Sequence, residues 1–320
     1  MQNPGNGNNA QAIEALLPNY PSVDAIEGPN EFDQAGDASW VSDLRAYLPV
    51  AQQVGQATGL PVYGPSLTQI DSYPELGDVS SMEDFGNIHA YWGGRNPETG
   101  GWGPPDSQVN YYGSMPYDLD EANTDSPGKP VVMTETGYVV NNTPSQNVIT
   151  ESLEAIYEPR LLLHAWNMGF KRTYIYELMD DPSSTPGFGL MRTDLTPRPA
   201  YTAIASLMGL VADQPGTFSP QILHYWLDGA NGDVETTVLQ KQDGSFWLAL
   251  WEPDCIWDVN ALKATPVAPQ TVTLSVANGQ QIQNVWSFDD TGNTSEVSPN
   301  AASAKVTIRS TVTLVEIAKP

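Results

Sequence analysis

Two glutamates are placed to do acid–base and nucleophilic chemistry. Glu31 ends the run Ile26-Glu27-Gly28-Pro29-Asn30-Glu31, and Glu135 ends Val132-Met133-Thr134-Glu135; each follows a short apolar stretch of strand character. Two carboxyl groups flanking a glycosidic bond are the minimum equipment for hydrolysing it. One protonates the leaving oxygen while the other attacks the anomeric carbon or activates a water. Their surroundings must hold them in different protonation states. Glutamate is a common residue, and two of them at strand ends arise by chance in many proteins, so the company they keep decides how specific the pair is. Asn30 precedes Glu31. His89, Tyr91 and Trp92 cluster where the run Phe85–Tyr91 stops, and Tyr176 lies near the end of Thr173–Leu178.

The elements that must position these side chains alternate between strand and helix. The patterning predicts strands over Val23–Glu27, Pro61–Pro65, Phe85–Tyr91, Pro130–Glu135 and Thr173–Leu178. It predicts helices over about 10–17, 38–57, 146–168 and 199–211. The second of these carries Trp40, Leu44, Tyr47, Leu48 and Val54 at helical spacing, and Pro159 should kink or split the third. Such alternation gives a parallel sheet with helical crossovers, whose functional side chains gather at the C-terminal strand ends. Beyond the turn-rich stretch Val211–Pro220 the texture changes. Strand-like runs such as Glu235–Gln240, Phe246–Trp251, Thr271–Val276 and Gln283–Phe288 follow one another, with turn pairs Asp243-Gly244 and Asn278-Gly279 between some of them. That reads as an antiparallel β-sandwich of about 100 residues. The expected fold class is α/β plus all-β, with the β/α domain over 1–212 and the sandwich over 213–320.

On Asn30-Glu31, His89-x-Tyr91 and Glu135, each after its own strand, the sequence resembles glycoside hydrolase clan A, the retaining β-glycosidases built on a (β/α)8 barrel. The resemblance implies that Val23–Glu27 is barrel strand 4 and Pro130–Glu135 barrel strand 7. It makes Glu31 the acid/base and Glu135 the nucleophile. It makes Asn30 the residue that binds the sugar 2-hydroxyl, Tyr91 the tyrosine that contacts the nucleophile and His89 a substrate-side histidine. The implied activity is double-displacement hydrolysis of a β-linked glycoside or polysaccharide, with no metal and no cofactor. The resemblance covers about residues 10–212; the sandwich resembles, by architecture alone, the accessory domain that follows many such barrels.

One departure is large. About five strand–helix units are present, matching barrel strands 4–8, whereas a full barrel typically takes about 250 residues. Strands 1–3 have no counterpart, nor has the clan's strand-2 arginine that hydrogen-bonds the nucleophile. Arg95 could replace it or be a solvated loop charge. The expected architecture is therefore an incomplete (β/α) TIM-type barrel followed by a sandwich. Two other readings stay open: a non-catalytic carbohydrate-binding protein derived from a decayed barrel, and a fragment completed by a second chain. Raw sheet edges call for cover, and a two-fold homodimer over the open side is the simplest expectation.

Trp92, Trp102, Tyr111, Tyr112 and Tyr138 lie in or beside strand-end loops, where aromatic faces either stack on sugars or pack the core. Tyr176 and Glu177 point to opposite sides by strand alternation. His164 is expected to be a packed helix residue. Asp180, Asp181 and Asp194 could meet a cation, but no ligand spacing supports it. The 320 residues hold 13 Lys and Arg against 38 Asp and Glu, a net charge of −25. That charge repels nucleic-acid phosphate and anionic membrane surfaces. Nine Trp and fourteen Tyr are too many aromatics for a disordered chain. The single cysteine, Cys255, rules out a disulfide framework or a cysteine-based zinc site. No apolar run reaches the ~18 residues of a membrane span, and Met1–Asn9 lacks the apolar core of a signal peptide. The expectation is a soluble chain, with secretion left open.

Overall fold

The computed structural model describes residues 10–35, 37–69, 71–102, 112–141, 143–183 and 187–319. In chain order they form α1 (Ala10–Leu16), β1 (Ile26–Glu27), α2 (Trp40–Thr58), β2 (Val62–Tyr63), α3 (Ser72–Leu76), β3 (Gly86–Ala90), α4 (Met115–Asp125), β4 (Val131–Thr136), β5 (Val139–Val140), β6 (Val148–Ile149), α5 (Glu151–Met168), β7 (Thr173–Ile175) and α6 (Pro199–Val211). There follow β8 (Tyr225–Asp228), β9 (Glu235–Gln240), β10 (Phe246–Trp251), β11 (Trp257–Asp258), β12 (Lys263–Ala264), β13 (Gln270–Val276), β14 (Ile282–Phe288), β15 (Thr294–Val297), β16 (Ser303–Ile308) and β17 (Thr313–Ile317). Two compact units emerge, one from 10–91, 100–136 and 168–175, the other from 92–99, 137–167 and 176–319. Among the described residues no helix is long and apolar enough to cross a membrane.

The first unit is built on parallel strands in chain order. β1 pairs with β2 (Ile26 opposite Val62), an isolated parallel bridge joins Tyr63 to Phe85, and β3, β4 and β7 form a parallel three-stranded sheet. Helix α2 buries Trp40, Leu44, Leu48, Ala51 and Val54 along one face, and its Ala51 and Val54 pack with Ile26 and Val62. A Cβ on Gly55 would meet Val62 Cγ2 at 2.5 Å and the Leu60 carbonyl at 2.9 Å, so glycine lets the helix lie directly on β2. The helix stops at Gly59, whose φ of 74° permits the left-handed cap and a 2.8 Å bond to the Gly55 carbonyl.

The flanking strands are shorter than the apolar runs foretell, two residues in β1 and three in β7. Each has a strand neighbour on one side alone among the described residues, so half of its ladder is missing. Just before these strands Asp24 and Arg172 pair at 2.6 Å, and Tyr63 shares a side-chain hydrogen bond with Tyr174. These contacts tie the two flanks of the sheet together, although an exposed ion pair contributes only about 0–1 kcal/mol.

The second unit contains the antiparallel strands. One sheet runs β15-β14-β17-β10-β9 and another β16-β13-β8. β10 shows why this sheet has two apolar faces. Phe246, Leu248 and Leu250 enter a core shared with Val272, Leu274, Val306 and Ile308 of the smaller sheet. The alternate residues Trp247, Ala249 and Trp251 enter a second core with Leu163 of α5 and Ala203 and Leu207 of α6. Period-two alternation thus buries every residue of the strand.

Helix α5 differs from the sequence reading in two ways. It begins at Glu151 rather than near Gln146, because Thr150 Oγ1 accepts the Leu153 N–H at 3.3 Å and caps it, and β6 occupies the residues before. It also continues through Pro159 as one helix. Leu153, Ala155, Tyr157, Leu161, Leu163 and Ala165 are all buried, and this packing outweighs the hydrogen bond that proline removes. Next to the proline, Arg160 is fully buried; its Nε donates to Glu98 Oε1 at 2.9 Å, Nη2 pairs with Glu98 Oε2, and Trp251 Nε1 donates to the same carboxylate at 2.7 Å. Arg160→Ala leaves Glu98 charged and buried. The expected loss is about 3–5 kcal/mol, measured by denaturant unfolding; a loss below about 1 kcal/mol, the size of an exposed pair, would contradict the buried-pair account.

Candidate active site

A slip in the strand register assembles the site. Ile88 of β3 lies opposite Met133 of β4, but the next residue, His89, lies opposite Glu135. Thr134 is the extra residue of this bulge, and a bulge re-aims the side chains beside it. Two consecutive residues of β4 therefore reach one imidazole: His89 Nε2 lies 3.2 Å from Thr134 Oγ1, and Nδ1 lies 3.6 Å from Glu135 Oε2.

Nδ1 also lies 3.0 Å from Glu31 Oε1, so His89 stands between the two glutamates. Its side chain is 3% exposed, against 22% for Glu31 and 21% for Glu135. The carboxylates open to solvent and the histidine backs them. Burial alone would lower the His89 pKa; hydrogen bonds to Glu27 and Glu31 and the charge of Glu135 outweigh it, and the net shift is upward. Nδ1 faces the Glu31 and Glu135 carboxyls, and Nε2 faces the Thr134 hydroxyl, which can accept or donate. Behind it, Thr134 Oγ1 lies 2.9 Å from both Glu27 Oε1 and Asn87 Oδ1, and Asn87 Nδ2 donates to Glu27 Oε1 at 2.9 Å.

Each glutamate has its own support. The Tyr91 hydroxyl donates to Glu135 Oε1 at 2.5 Å. Gln34 Nε2 donates to Glu31 Oε2 at 2.6 Å, and the Glu31 N–H reaches Ser66 Oγ at 3.5 Å. Glu31 has a φ of 45°, a left-handed conformation that costs a non-glycine residue about 1–3 kcal/mol and concentrates at functional sites. One donor atom each from Glu31, His89 and Glu135 lie within 4.8 Å of one another, a spacing that could also hold a metal ion. A cavity of about 210 Å³ opens beside Glu31, His89 and Tyr91; Tyr73, Trp102, Tyr112, Tyr117, Asp118 and Glu121 line its other walls.

The structure brings Glu31, Glu135, His89 and Tyr91 together around the His89 ring, and the adjacent Asn30 is exposed. Trp92 and Tyr176 belong to the other unit. Trp92 is fully buried, so a stacking role requires uncovering it, whereas Tyr176 is 41% exposed with its ring edge-on to Phe188. Tyr138 is buried and donates to the Arg95 carbonyl at 3.0 Å. Asp180 is held by Arg198 and the Gly189 N–H. His164 packs in α5 as expected of it. Tyr111 lies outside the described residues.

Sequence reasoning missed the supports Glu27, Asn87 and Thr134. Asn87 and His89 are two apart on one strand and so share a face, a signal that was available. It also missed α4 and its residues Tyr117, Asp118 and Glu121. The signal there is Ser114, whose Oγ accepts the Tyr117 N–H at 3.3 Å, followed by Pro116 in the first turn.

No protein-family model matches the sequence, and no curated protein matches it. Solved structures do. A family 39 glycoside hydrolase from the gut symbiont Bacteroides cellulosilyticus WH2 matches with a TM-score of 0.62 at 17% identity, over 97% of this chain and 60% of that one. An endo-β1,6-glucanase matches with a TM-score of 0.53 at 16% identity, over 97% and 62% of the two chains. The GH51 arabinofuranosidase from Xanthomonas axonopodis pv. citri matches with a TM-score of 0.50 at 12% identity, over 87% and 62%. This chain thus spans less than two thirds of each of these proteins. At such identities the likeness is one of fold: the chain has a glycosidase-like fold, and these structural neighbours are glycoside hydrolases.

Proposed function

We propose that the protein is a retaining glycoside hydrolase that cleaves a β-linked glycoside or polysaccharide by double displacement. The observation that carries this reading is the closeness of the two glutamates. One oxygen of Glu31 and one of Glu135 lie within 4.8 Å of each other, a closeness that supports the tight spacing of retaining pairs, ~5–5.5 Å between carboxyl groups, over the ~6.5–9.5 Å of inverting ones.

In the first step Glu135 attacks the anomeric carbon and the bond to the leaving oxygen breaks, while Glu31 gives that oxygen its proton. In the second step Glu31 takes a proton from water, which attacks the same carbon and releases Glu135. Tyr91 holds Oε1 of Glu135 and so fixes which oxygen is free to react. The His89 ring stands between the two carboxyl groups, 3.0 Å from Glu31 and 3.6 Å from Glu135, and so holds them in register. Asn30 meets the sugar 2-hydroxyl, and no cofactor takes part. Wild-type protein is expected to release aryl groups from nitrophenyl β-glycosides, with the β-anomer as first product by NMR. An α-anomer product would overturn the retaining assignment; absence of turnover on a broad panel would favour a sugar-binding protein instead.

In this reading the barrel is incomplete, with strands equivalent to barrel strands 4–8, and a two-fold dimer covers the open side. The missing outer neighbours of β1 and β7 among the described residues, and the exposed Tyr20, Val23 and Tyr174 beside them, support it. Light scattering at micromolar concentration is expected to give twice the chain mass. A stable monomer would refute the dimer and leave the Asp24–Arg172 tie to hold the flanks.

A further inference from the structure

We infer that the cavity beside Glu31 is a subsite for a sugar that carries an ammonium group, an unacetylated amino sugar, and that it disfavours uronates. The inference rests on the glycosidase reading for the identity of the ligand as a sugar; the charge preference rests on the cavity itself.

Asp118 and Glu121 are three apart on α4 and so share one helix face, and both line the cavity on which Glu31 also opens. No lysine or arginine is among the described residues that line it. A uronate would therefore meet carboxyl groups along the described lining, where the His89 ring is already engaged by Glu31. The aromatic wall points the same way. Trp102 and Tyr112 stand edge to face at 6.1 Å, and Tyr112 and Tyr117 at 5.2 Å. Rings beside carboxyl groups form the surroundings that hold ammonium ions, and the same rings suit the apolar face of a sugar.

Asp118 is partly open to the cavity by surface area, yet protein atoms surround it densely. That enclosure, together with the Glu121 charge, raises its pKa to about 8. An entering ammonium group replaces the stored proton: Asp118 ionises, the proton leaves to solvent, and a charge-assisted hydrogen bond takes its place. At about pH 6, where the amine already carries its proton and Asp118 holds one, binding should therefore release protons, which a neutral sugar has no means to drive.

The test uses the 320-residue chain with Glu135→Gln, which on the proposed mechanism binds without turnover, and calorimetry at about pH 6, where the amine is protonated. A β-1,4-linked glucosamine trimer is compared with its N-acetylated counterpart and with a uronate trimer. The expected order is glucosamine first, by about tenfold or more over the acetylated sugar, which is the effect of one charged hydrogen bond, and uronate last. The heat of glucosamine binding should vary with buffer ionisation enthalpy as protons are released. Asp118→Asn and Glu121→Gln, confirmed as folded by circular dichroism, should each narrow the gap. Equal or weaker binding of the glucosamine trimer overturns the inference, as does a gap that both variants leave intact, or no binding by any of the three. Turnover of aryl glycosides by wild type without the charge preference sinks this inference alone. The charge preference without turnover sinks the hydrolase reading alone.

Discussion

Glu135→Gln is expected to lose about 10⁴-fold or more in kcat on every β-glycoside that the wild type cleaves, a loss of the size seen when a reacting group is removed elsewhere. The amide keeps the shape and the Tyr91 contact but cannot attack the anomeric carbon. Glu31→Gln is expected to behave differently. Loss of a general acid costs about 10²–10⁴-fold, and the cost falls on substrates with poor leaving groups. A nitrophenolate departs with little protonation, so its glycoside should suffer least in bond cleavage. Release of the glycosyl-enzyme then becomes slow, because the same residue must deprotonate water; added azide, which needs no base, should restore that step and yield a β-glycosyl azide. Equal losses on activated and unactivated substrates, with no azide rescue, would remove Glu31 from the role of acid.

Much of this site was legible because strand ends concentrate it. Apolar runs before Asn30-Glu31, His89-x-Tyr91 and Glu135 locate the strands, and a parallel β/α fold gathers the C-terminal ends of its strands on one side. The bulge was not legible. Alternation predicts that Thr134 and Glu135 point to opposite faces, yet both reach His89, because one residue is left out of the ladder with β3. Register depends on which backbone groups pair across 40-odd residues of chain, and local pattern carries no record of it. The persistence of α5 through Pro159 has a related cause: propensity is local, whereas the buried Arg160–Glu98 pair and the apolar face are tertiary. Trp92 shows the limit from the other side. An aromatic residue next to a strand that carries candidate site residues has the same sequence signature whether it faces a ligand or, as here, is fully enclosed.

Stability is expected to fall as pH rises from about 5 to about 8, against the usual behaviour of carboxylates that gain partners on folding. Burial raises the Glu158 pKa to about 8, and burial aided by the Glu83 charge raises Asp125 to about 8. Burial raises Glu83 to about 7, and burial together with the Glu158 charge pushes Glu154 well up. An unfolded chain releases these protons near pH 4. Between about pH 4 and pH 8 the folded chain therefore holds more protons than the unfolded one, so each unit of pH lowers unfolding free energy by ~1.4 kcal/mol per proton held in excess. Relaxation of the buried groups reduces this to a total on the order of 2–5 kcal/mol, or roughly 3–8 °C in Tm. Thermal melts at pH 5, 6.5 and 8 measure it; a Tm that is constant or rises over this range contradicts the buried-acid account. Self-repulsion from the net charge of −25 acts in the same direction, and two controls separate them. Added salt screens exposed charges and leaves buried groups almost untouched, so a slope that survives salt belongs to the buried acids. Glu158→Gln cannot ionise: relative to wild type it should gain stability at pH 8 and not at pH 5, whereas a change that is the same at both pH values would assign the slope elsewhere.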